Sequence, residues 1–142
     1  MALADLNPRS TLKFLLNADA SDDAGKLLTI NAADSATNGV TTIELANAAT
    51  DIPVGIVVVG AASDSGSYPG YATSCEIYDT LIGCFDGALA GGTVAAGDAV
   101  EADSTGRFVT ATPSAGDFVI GFAMTSAASG EQFTIKFAVT KF

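Results

Sequence analysis

The chain has no histidine and no tryptophan, and its 142 residues include only two cysteines. Histidine is the side chain best suited to act as a base near neutral pH, so its absence removes the usual Ser–His and Cys–His catalytic pairs. Cys75 and Cys84 are too few for a disulfide scaffold. They could pair across a hairpin, but two free thiols are the simpler expectation. We therefore expect a protein that is not an enzyme, with no catalytic residue, cofactor or metal.

Positive charge is also scarce. Six Lys and Arg stand against 16 Asp and Glu, which gives a formal net charge of −10. Between Lys26 and Lys136 the one basic residue is Arg107. Nucleic acids and anionic membranes both attract proteins through clustered basic groups. The sequence therefore predicts no nucleic-acid partner and no membrane partner.

Long apolar runs are missing as well. The opening residues, MALADLNPRS, have an acid at Asp5 and no apolar segment of the kind found in a secretory signal. No run approaches the ~18 apolar residues that a membrane span requires. Alternating polar residues at Asn17, Asp19, Ser21 and Asp23 lack the glycine and glutamate of an EF-hand loop, so a solvated loop is expected there.

What is present is a series of short apolar runs separated by Gly, Asp and Ser clusters, the pattern of strands joined by tight turns. In the last run, Phe133, Ile135, Phe137 and Val139 alternate with Thr134, Lys136 and Ala138. This period of two predicts a strand with one buried face. No segment shows a sustained helical stripe with caps. The sequence predicts an all-β fold, either a small β-barrel or a β-sandwich.

The run PVGIVVV, which begins at Pro53, is apolar on both faces of the expected strand. Val54, Ile56 and Val58 share one face, and Val57 and Val59 lie on the other. A strand of this kind has to be covered on both sides, by another layer or another subunit.

Two parts of the chain align with each other, approximately residues 25–82 and 97–140. PVGIVVVGAAS aligns with VIGFAMTSAAS, which places Gly55 on Gly121. Asn38-Gly39 aligns with Thr105-Gly106, and Glu76-Ile77 aligns with Thr134-Ile135. We interpret the two parts as copies of one unit within a single β domain, residues 25–142. Structural turn glycines are predicted at Gly39, Gly55, Gly106, Gly121 and Gly130.

Residues 1–24 differ in character from the rest. The segment combines an Asn7-Pro8 pair, a short apolar run and a polar loop. One interpretation is an extended N-terminal arm that contacts a neighbouring protein. The other is an ordinary first strand followed by a loop.

Several turn and strand motifs of the C-terminal third resemble those of the capsid cement, or head decoration, proteins of tailed bacteriophages. The motifs are Gly97-Asp98-Ala99-Val100, then Asp103-x-x-Gly106-Arg107-Phe108-Val109, then Ile120-Gly121-Phe122-Ala123, and Ala128-Ser129-Gly130-Glu131. The resemblance is good over the C-terminal third and loose over the first repeat. The polar loop at 17–25 and the insertion at 63–74 depart from the pattern.

The resemblance implies a small β-barrel or sandwich on the outer capsid surface, commonly a homotrimer, that strengthens the shell by binding the major capsid protein. Such a protein is made in the host cytoplasm and is then incorporated into the virion. The arm suggests a mechanism, in which it adds a strand to an edge of the capsid protein. The expected contact residues are Leu6, Pro8, Arg9, Leu12 and Phe14. Deletion of residues 2–16 should then abolish capsid binding and leave the fold intact.

Two other functions remain open. The first is an adhesive or carbohydrate-binding β domain that uses Tyr68 or Tyr71, although no tryptophan is available to stack on a sugar. The second is another part of a virion, such as a tail or fibre subunit.

Overall fold

A computed structural model describes residues 14–17, 19–39, 41–63 and 70–142 of the chain. Nearly all of the regular structure in these ranges is strand. The elements are β1 (Leu15–Asn17), β2 (Leu27–Ile30), α1 (Ala32–Asn38), β3 (Thr42–Leu45), β4 (Pro53–Val59), β5 (Tyr71–Ala72), β6 (Glu76–Tyr78), β7 (Cys84–Leu89), β8 (Ala99–Ala102), β9 (Phe108–Thr110), β10 (Phe118–Ala123) and β11 (Gln132–Lys141).

The strands form two sheets. The N-terminal sheet has the order β5-β1-β3-β2-β4-β6, and the C-terminal sheet has the order β7-β11-β10-β8-β9. Neighbouring strands are antiparallel except for β1 and β3, which are parallel. The expected all-β class is confirmed. Within the described ranges, neither sheet closes into a barrel.

The N-terminal sheet is strongly curled. Its two edge strands, β5 and β6, are separated in the chain by only residues 73–75. That connection spans at most about 15 Å between α-carbons. In a flat sheet of six strands, the edges would lie about 24 Å apart. The edges must therefore approach each other, which gives the sheet a concave face.

Each face of the N-terminal sheet has its own core. Leu27, Ala46 and Ile56 pack against the C-terminal sheet in the first core. The concave face holds the second core, built from Leu16, Ala20, Leu28, Ile43, Val57, Ala72 and Cys75. Ile56 and Val57 are both fully buried, on opposite faces of β4. The prediction that this strand is covered on both sides is confirmed. Val54 was expected on the face of Ile56 but packs against the second core, because the pairing of β2 with β4 shifts register between Gly55 and Pro53.

A short helix, α1, lies where no helix was expected. The Asn31 side chain accepts a hydrogen bond from the Asp34 N–H (3.0 Å), which caps the N-terminus. Gly39 ends the helix in the left-handed conformation, with φ 66°. With seven residues, the helix is too short to show an apolar stripe, so its caps look like turn residues in the sequence.

Four strands of each sheet follow the same order, β3-β2-β4-β6 and β9-β8-β10-β11, with antiparallel neighbours throughout. Leu28 of β2 lies opposite Gly55 of β4, and Val100 of β8 lies opposite Gly121 of β10.

Backbone hydrogen bonds follow the same correspondence. The Gly25 N–H donates to the Val57 carbonyl, and the Gly97 N–H donates to the Ala123 carbonyl, each at 2.7 Å. The alignment that placed Gly55 on Gly121 therefore joins positions with the same surroundings.

The five predicted turn glycines have two different roles. Gly39, Gly106 and Gly130 lie in turns with positive φ, which glycine adopts without steric cost. Gly55 and Gly121 do not lie in turns; they lie inside β4 and β10. A Cβ on Gly55 would lie 2.9 Å from the carbonyl oxygen of Tyr78, and one on Gly121 would overlap the carbonyl of Lys136. These two glycines allow a neighbouring strand to approach closely.

The described part of residues 1–24 belongs to the N-terminal sheet. β1 lies between β5 and β3, and Leu15 and Leu16 are buried. Ala20 is also buried, in the second core. Its described residues, 14–17 and 19–24, form a first strand and part of a packed loop. The remainder of the proposed arm, residues 1–13, lies outside the described residues.

Candidate interaction surfaces

The concave face of the N-terminal sheet opens at one end into an apolar cavity of about 230 Å³. We call this opening the apolar mouth. It lies where β1, β3 and β4 begin and where β2 and β6 end. Its lining residues are Phe14, Ile30, Thr41, Ile43, Val54, Ile77 and Asp79.

The lining of the apolar mouth favours an apolar side chain as its occupant. Thr41 and Asp79 are its two polar residues, and Ile30 is 45% exposed at the opening. Small-molecule sites usually have volumes of about 300–1,000 Å³ and several polar groups that orient the ligand. The mouth is smaller and less polar, so it matches a protein side chain better than a metabolite.

A second apolar surface lies on the outer side of the C-terminal sheet. Phe122 is its central residue, with Ala99 opposite it on β8 and Lys136 opposite it on β11. Met124 comes directly after the last residue of β10. Phe122 is 46% exposed and Met124 is 54% exposed. We call these four residues the Phe122 face.

Of the five predicted capsid-contact residues, the structure describes one. Phe14 lines the apolar mouth and packs against the second core. Leu6, Pro8, Arg9 and Leu12 lie outside the described residues. Sequence reasoning did not identify Ile30 and Val54 as surface residues, because an apolar residue in a strand is normally assigned to a core. The signal that could have found this site was the strand that is apolar on both faces.

The polar loop near Asp19 is stabilised by its own hydrogen bonds. Asp19 Oδ1 accepts from the Ser21 N–H (2.9 Å) and from the Ser21 hydroxyl (2.6 Å). These bonds hold the pKa of Asp19 below its ordinary value. Among the residues that the structure describes, no group of three His, Cys, Asp or Glu residues is arranged to hold a metal ion.

The two cysteines are free and lie in different surroundings. Cys75 is buried in the second core and Cys84 is exposed on β7. Burial raises the pKa of the Cys75 thiol. In this structure the two thiols do not pair across a hairpin.

The tyrosines that were considered for sugar binding differ in what the structure shows. The Tyr71 hydroxyl donates a hydrogen bond to Asp34 Oδ2 (3.1 Å), so it already joins β5 to α1. Tyr68 lies outside the described residues. Within the described ranges, no helix has the length and apolar character that crossing a membrane requires.

Comparisons with known proteins relate part of the sequence to one family and the fold to one solved structure. Residues 73–139 match the model of the phage cement protein family. No curated protein matches the sequence. Among solved structures, the chain is similar to the N base of the head fiber gp8.5 of bacteriophage phi29, with a TM-score of 0.63 and 19% identity over 89% of this chain and 92% of that one. At this identity the likeness establishes the fold.

Proposed function

We propose that this chain, a structural protein of a phage virion that is assigned to the cement proteins by its family match, decorates and stabilises the outer surface of the capsid as a homotrimer. The observation that carries the proposal is the match to the cement family over residues 73–139. The matched region contains β7 to β10 and most of β11, which ends two residues beyond it at Lys141. The resemblance noted in the sequence falls within the same part of the chain.

The composition of the protein fits this role. Cementing needs a stable body and contacts that bridge neighbouring capsid subunits, and it needs no reaction centre. Several weak contacts made at once hold far more tightly than any one of them, provided that the geometry lets them engage together.

We propose further that residues 1–13 contact the major capsid protein, with Leu6, Pro8, Arg9 and Leu12 as contact residues beside Phe14. An extended segment can add a strand to an exposed sheet edge and gain main-chain hydrogen bonds there. The support for this mechanism is the place at which residues 1–13 join the rest of the chain. The segment enters the body at Phe14, beside the apolar mouth and next to a strand that is hydrogen-bonded to β3 and β5.

The experiment is to add the purified protein to capsids that lack it and to measure binding and capsid stability. We expect saturable binding to the outer surface and a higher temperature of capsid disruption. A deletion of residues 2–13 should bind at least about tenfold more weakly, with an unchanged circular dichroism spectrum. This deletion is preferable to removal of residues 2–16, which would also take away the buried Leu15 and Leu16.

Substitutions in the arm give a matched control. The variant L6A/L12A should lose binding, whereas the deletion of Met1 alone should not. Saturable binding by the deletion variant at the affinity of the full chain would contradict the arm mechanism but leave decoration standing. Absence of any binding by the full chain, to several capsid states, would contradict decoration itself.

A second candidate function is the base of a fibre anchored on the head. The observation that favours it is the similarity of fold to the N base of a phage head fiber. Cryo-electron microscopy of decorated capsids separates the two functions. A cement protein is expected in compact density at many equivalent sites, whereas a fibre base would carry a projecting stalk.

A further inference from the structure

Several paired positions of the two sheets correspond, and the correspondence relates the surfaces of one sheet to those of the other. The pair Ile30–Ile43 of the N-terminal sheet corresponds to Ala102–Phe108 of the C-terminal sheet. The pair Val57–Ile77 corresponds to Ala123–Ile135. The bridge from Leu16 to Ile43 likewise corresponds to the bridge from Ala90 to Phe108, and both are parallel.

This correspondence locates a second mouth, in the C-terminal sheet. Its residues are Ala88, Ala102, Gly106, Phe108, Ile120, Ile135 and Phe137, which correspond in turn to Phe14, Ile30, Thr41, Ile43, Val54, Ile77 and Asp79. Counted from Ile43 and Phe108, the residue at the position of Gly106 is Thr41 and not Gly39, which the sequence alignment had placed there. The six residues other than Gly106 are all buried in the first core. The second mouth is therefore closed, whereas the apolar mouth of the N-terminal sheet is open.

The occupant of the second mouth is the outer face of the N-terminal sheet. Leu27, Ala46 and Ile56 lie in the same core as the residues of that mouth. The Leu27 N–H also donates a hydrogen bond of 2.7 Å to the carbonyl of Gly106, and a Cβ on Gly106 would lie 3.2 Å from the carbonyl oxygens of Leu27 and Ala46. Within the chain, an outer face of one unit thus docks in the mouth of the other.

The Phe122 face is the equivalent outer face of the second unit. Leu27 pairs with Ile56 in the first unit, as Ala99 pairs with Phe122 in the second. Ile56 is fully buried by the internal contact, whereas Phe122 is 46% exposed. Each half of the internal interface therefore has an exposed counterpart: the apolar mouth of the N-terminal sheet and the Phe122 face of the C-terminal sheet.

Charge complementarity links the two exposed counterparts. In the internal interface, Tyr78 of the outer face stacks on Phe137 of the mouth, with ring centroids 6.1 Å apart. Lys136 corresponds to Tyr78, because Lys136 lies opposite Phe122 and Tyr78 lies opposite Ile56, the central residues of the two outer faces. Asp79 follows Tyr78 as Phe137 follows Lys136. The stacked pair Tyr78–Phe137 inside the molecule thus corresponds to a pair between two molecules. In that pair, Lys136 belongs to the Phe122 face of one copy and Asp79 to the apolar mouth of the other.

We propose that the Phe122 face of one copy docks in the apolar mouth of a second copy, in the arrangement that joins the two sheets within the chain. Phe122 enters the cavity beside Ile30, Ile43 and Val54, and Lys136 approaches Asp79. The contact continues an interface that the chain already contains. It is head-to-tail, so repetition generates a closed ring or an open filament.

This inference deepens the proposed function by naming the contact through which copies associate, and it rests on that function only for the number of copies in a ring. Its test needs no capsid, so its failure and the failure of capsid decoration are distinguishable. The association is measured with purified protein by sedimentation and by light scattering.

The sharpest test uses two complementary variants. F122D disrupts the Phe122 face but leaves the apolar mouth intact. I30D disrupts the apolar mouth but leaves the Phe122 face intact. Each variant alone should be monomeric at concentrations where the wild-type chain associates. An equimolar mixture should form a heterodimer that grows no further, because its two remaining surfaces are the substituted ones. The matched control is V139D, which changes an exposed apolar residue of β11 outside both surfaces and should associate like the wild type.

Charge reversal tests the orientation independently of the apolar contact. K136D and D79K should each raise the dissociation constant about tenfold or more, and the combination K136D/D79K should restore much of the affinity. Unfolding temperatures of all the variants are measured alongside, so that a folding defect is recognised.

Three results would overturn the proposal. One is a wild-type chain that stays monomeric at millimolar concentration. Another is a mixture of F122D and I30D that stays monomeric while the wild type associates. The third is a monomeric wild type that begins to associate through its mouth when residues 2–13 are deleted, since the occupant of the mouth would then be the chain's own N-terminal segment.

Discussion

The ring of Tyr78, on β6, stacks on the ring of Phe137, on β11, with 15° between their planes. Tyr78 also lies 5.6 Å from Phe85, measured between ring centroids. Since β6 belongs to the N-terminal sheet and β7 and β11 to the C-terminal sheet, these three rings join the two sheets directly.

Truncation of Phe137 should therefore weaken the contact between the sheets. Phe137 is 94% buried, and a buried Phe→Ala change typically costs about 3–5 kcal/mol, through lost burial and the cavity left behind. We expect the free energy of unfolding of F137A to fall by that amount in urea titration. F142A, at a residue that is 56% exposed, is the control and should change stability by less than about 0.5 kcal/mol. Equal effects of the two substitutions would contradict the role of the stack.

A methyl group at Gly121 should be costly because the backbone of β11 lies against this position of β10. The added Cβ would overlap the carbonyl of Lys136, which is rigid backbone. We expect G121A to destabilise the protein by at least about 2 kcal/mol, as forced overpacking does. G92A is the control, since the nearest atom to its Cβ is Val109 Cγ1 at 3.8 Å, an ordinary contact distance. A G121A protein as stable as G92A would show that the strands can separate without cost.

The two thiols should react at very different rates. The thiolate is the reactive form, and Cys75 is both buried and shifted to a higher pKa by its burial. With a chromogenic disulfide at pH 8, we expect one fast thiol in the native protein and two after unfolding. The C84S variant should lose the fast reaction and C75S should keep it. A native protein with two fast thiols would indicate that the second core opens readily.

The cap of α1 should contribute measurably to stability. N31A removes the acceptor for the Asp34 N–H and should cost about 1 kcal/mol. N31S, which retains an acceptor, should cost less. The Asn31 amide nitrogen also donates to Asp34 (3.1 Å) and to Glu44 (3.2 Å), so N31D brings three carboxylates together.

N31D keeps a side-chain acceptor for the Asp34 N–H, as N31S does, but places a carboxylate where the amide donated to Asp34 and Glu44. We therefore expect N31D to be less stable than N31S, by a margin that shrinks as salt screens the like charges. Urea titrations in about 50 mM and about 1 M NaCl measure this margin. A margin that is the same at both salt concentrations would contradict the electrostatic explanation.

Local pattern was enough to predict the strands but not their arrangement. In β11 the alternation of Phe133, Ile135 and Phe137 matches their burial. Val139 continues the same alternation but is 40% exposed. Burial at a strand end depends on what lies opposite, which periodicity does not encode. The helix α1 was missed because its caps, Asn31 and Gly39, also suit a turn.

The curl of the N-terminal sheet could not be predicted, because it depends on pairings between distant parts of the chain. The parallel pairing of Leu15 with Thr42, and the connection of the two edges through residues 73–75, are contacts of this kind. The apolar mouth exists only because of that curl. Phe14 was predicted as a contact residue, but its neighbours Ile30 and Val54 could be recognised only once β1, β2 and β4 were placed side by side.

The position of β1 has a mechanical consequence. A shell under internal pressure pulls on whatever ties its surface together, and an arm formed by residues 1–13 would transmit that load into the body at Leu15. β1 is an inner strand, hydrogen-bonded to β3 on one side and to β5 on the other. A pull along the strand would load both ladders in shear, so that their bonds resist together. An edge strand in the same place would peel away one bond at a time.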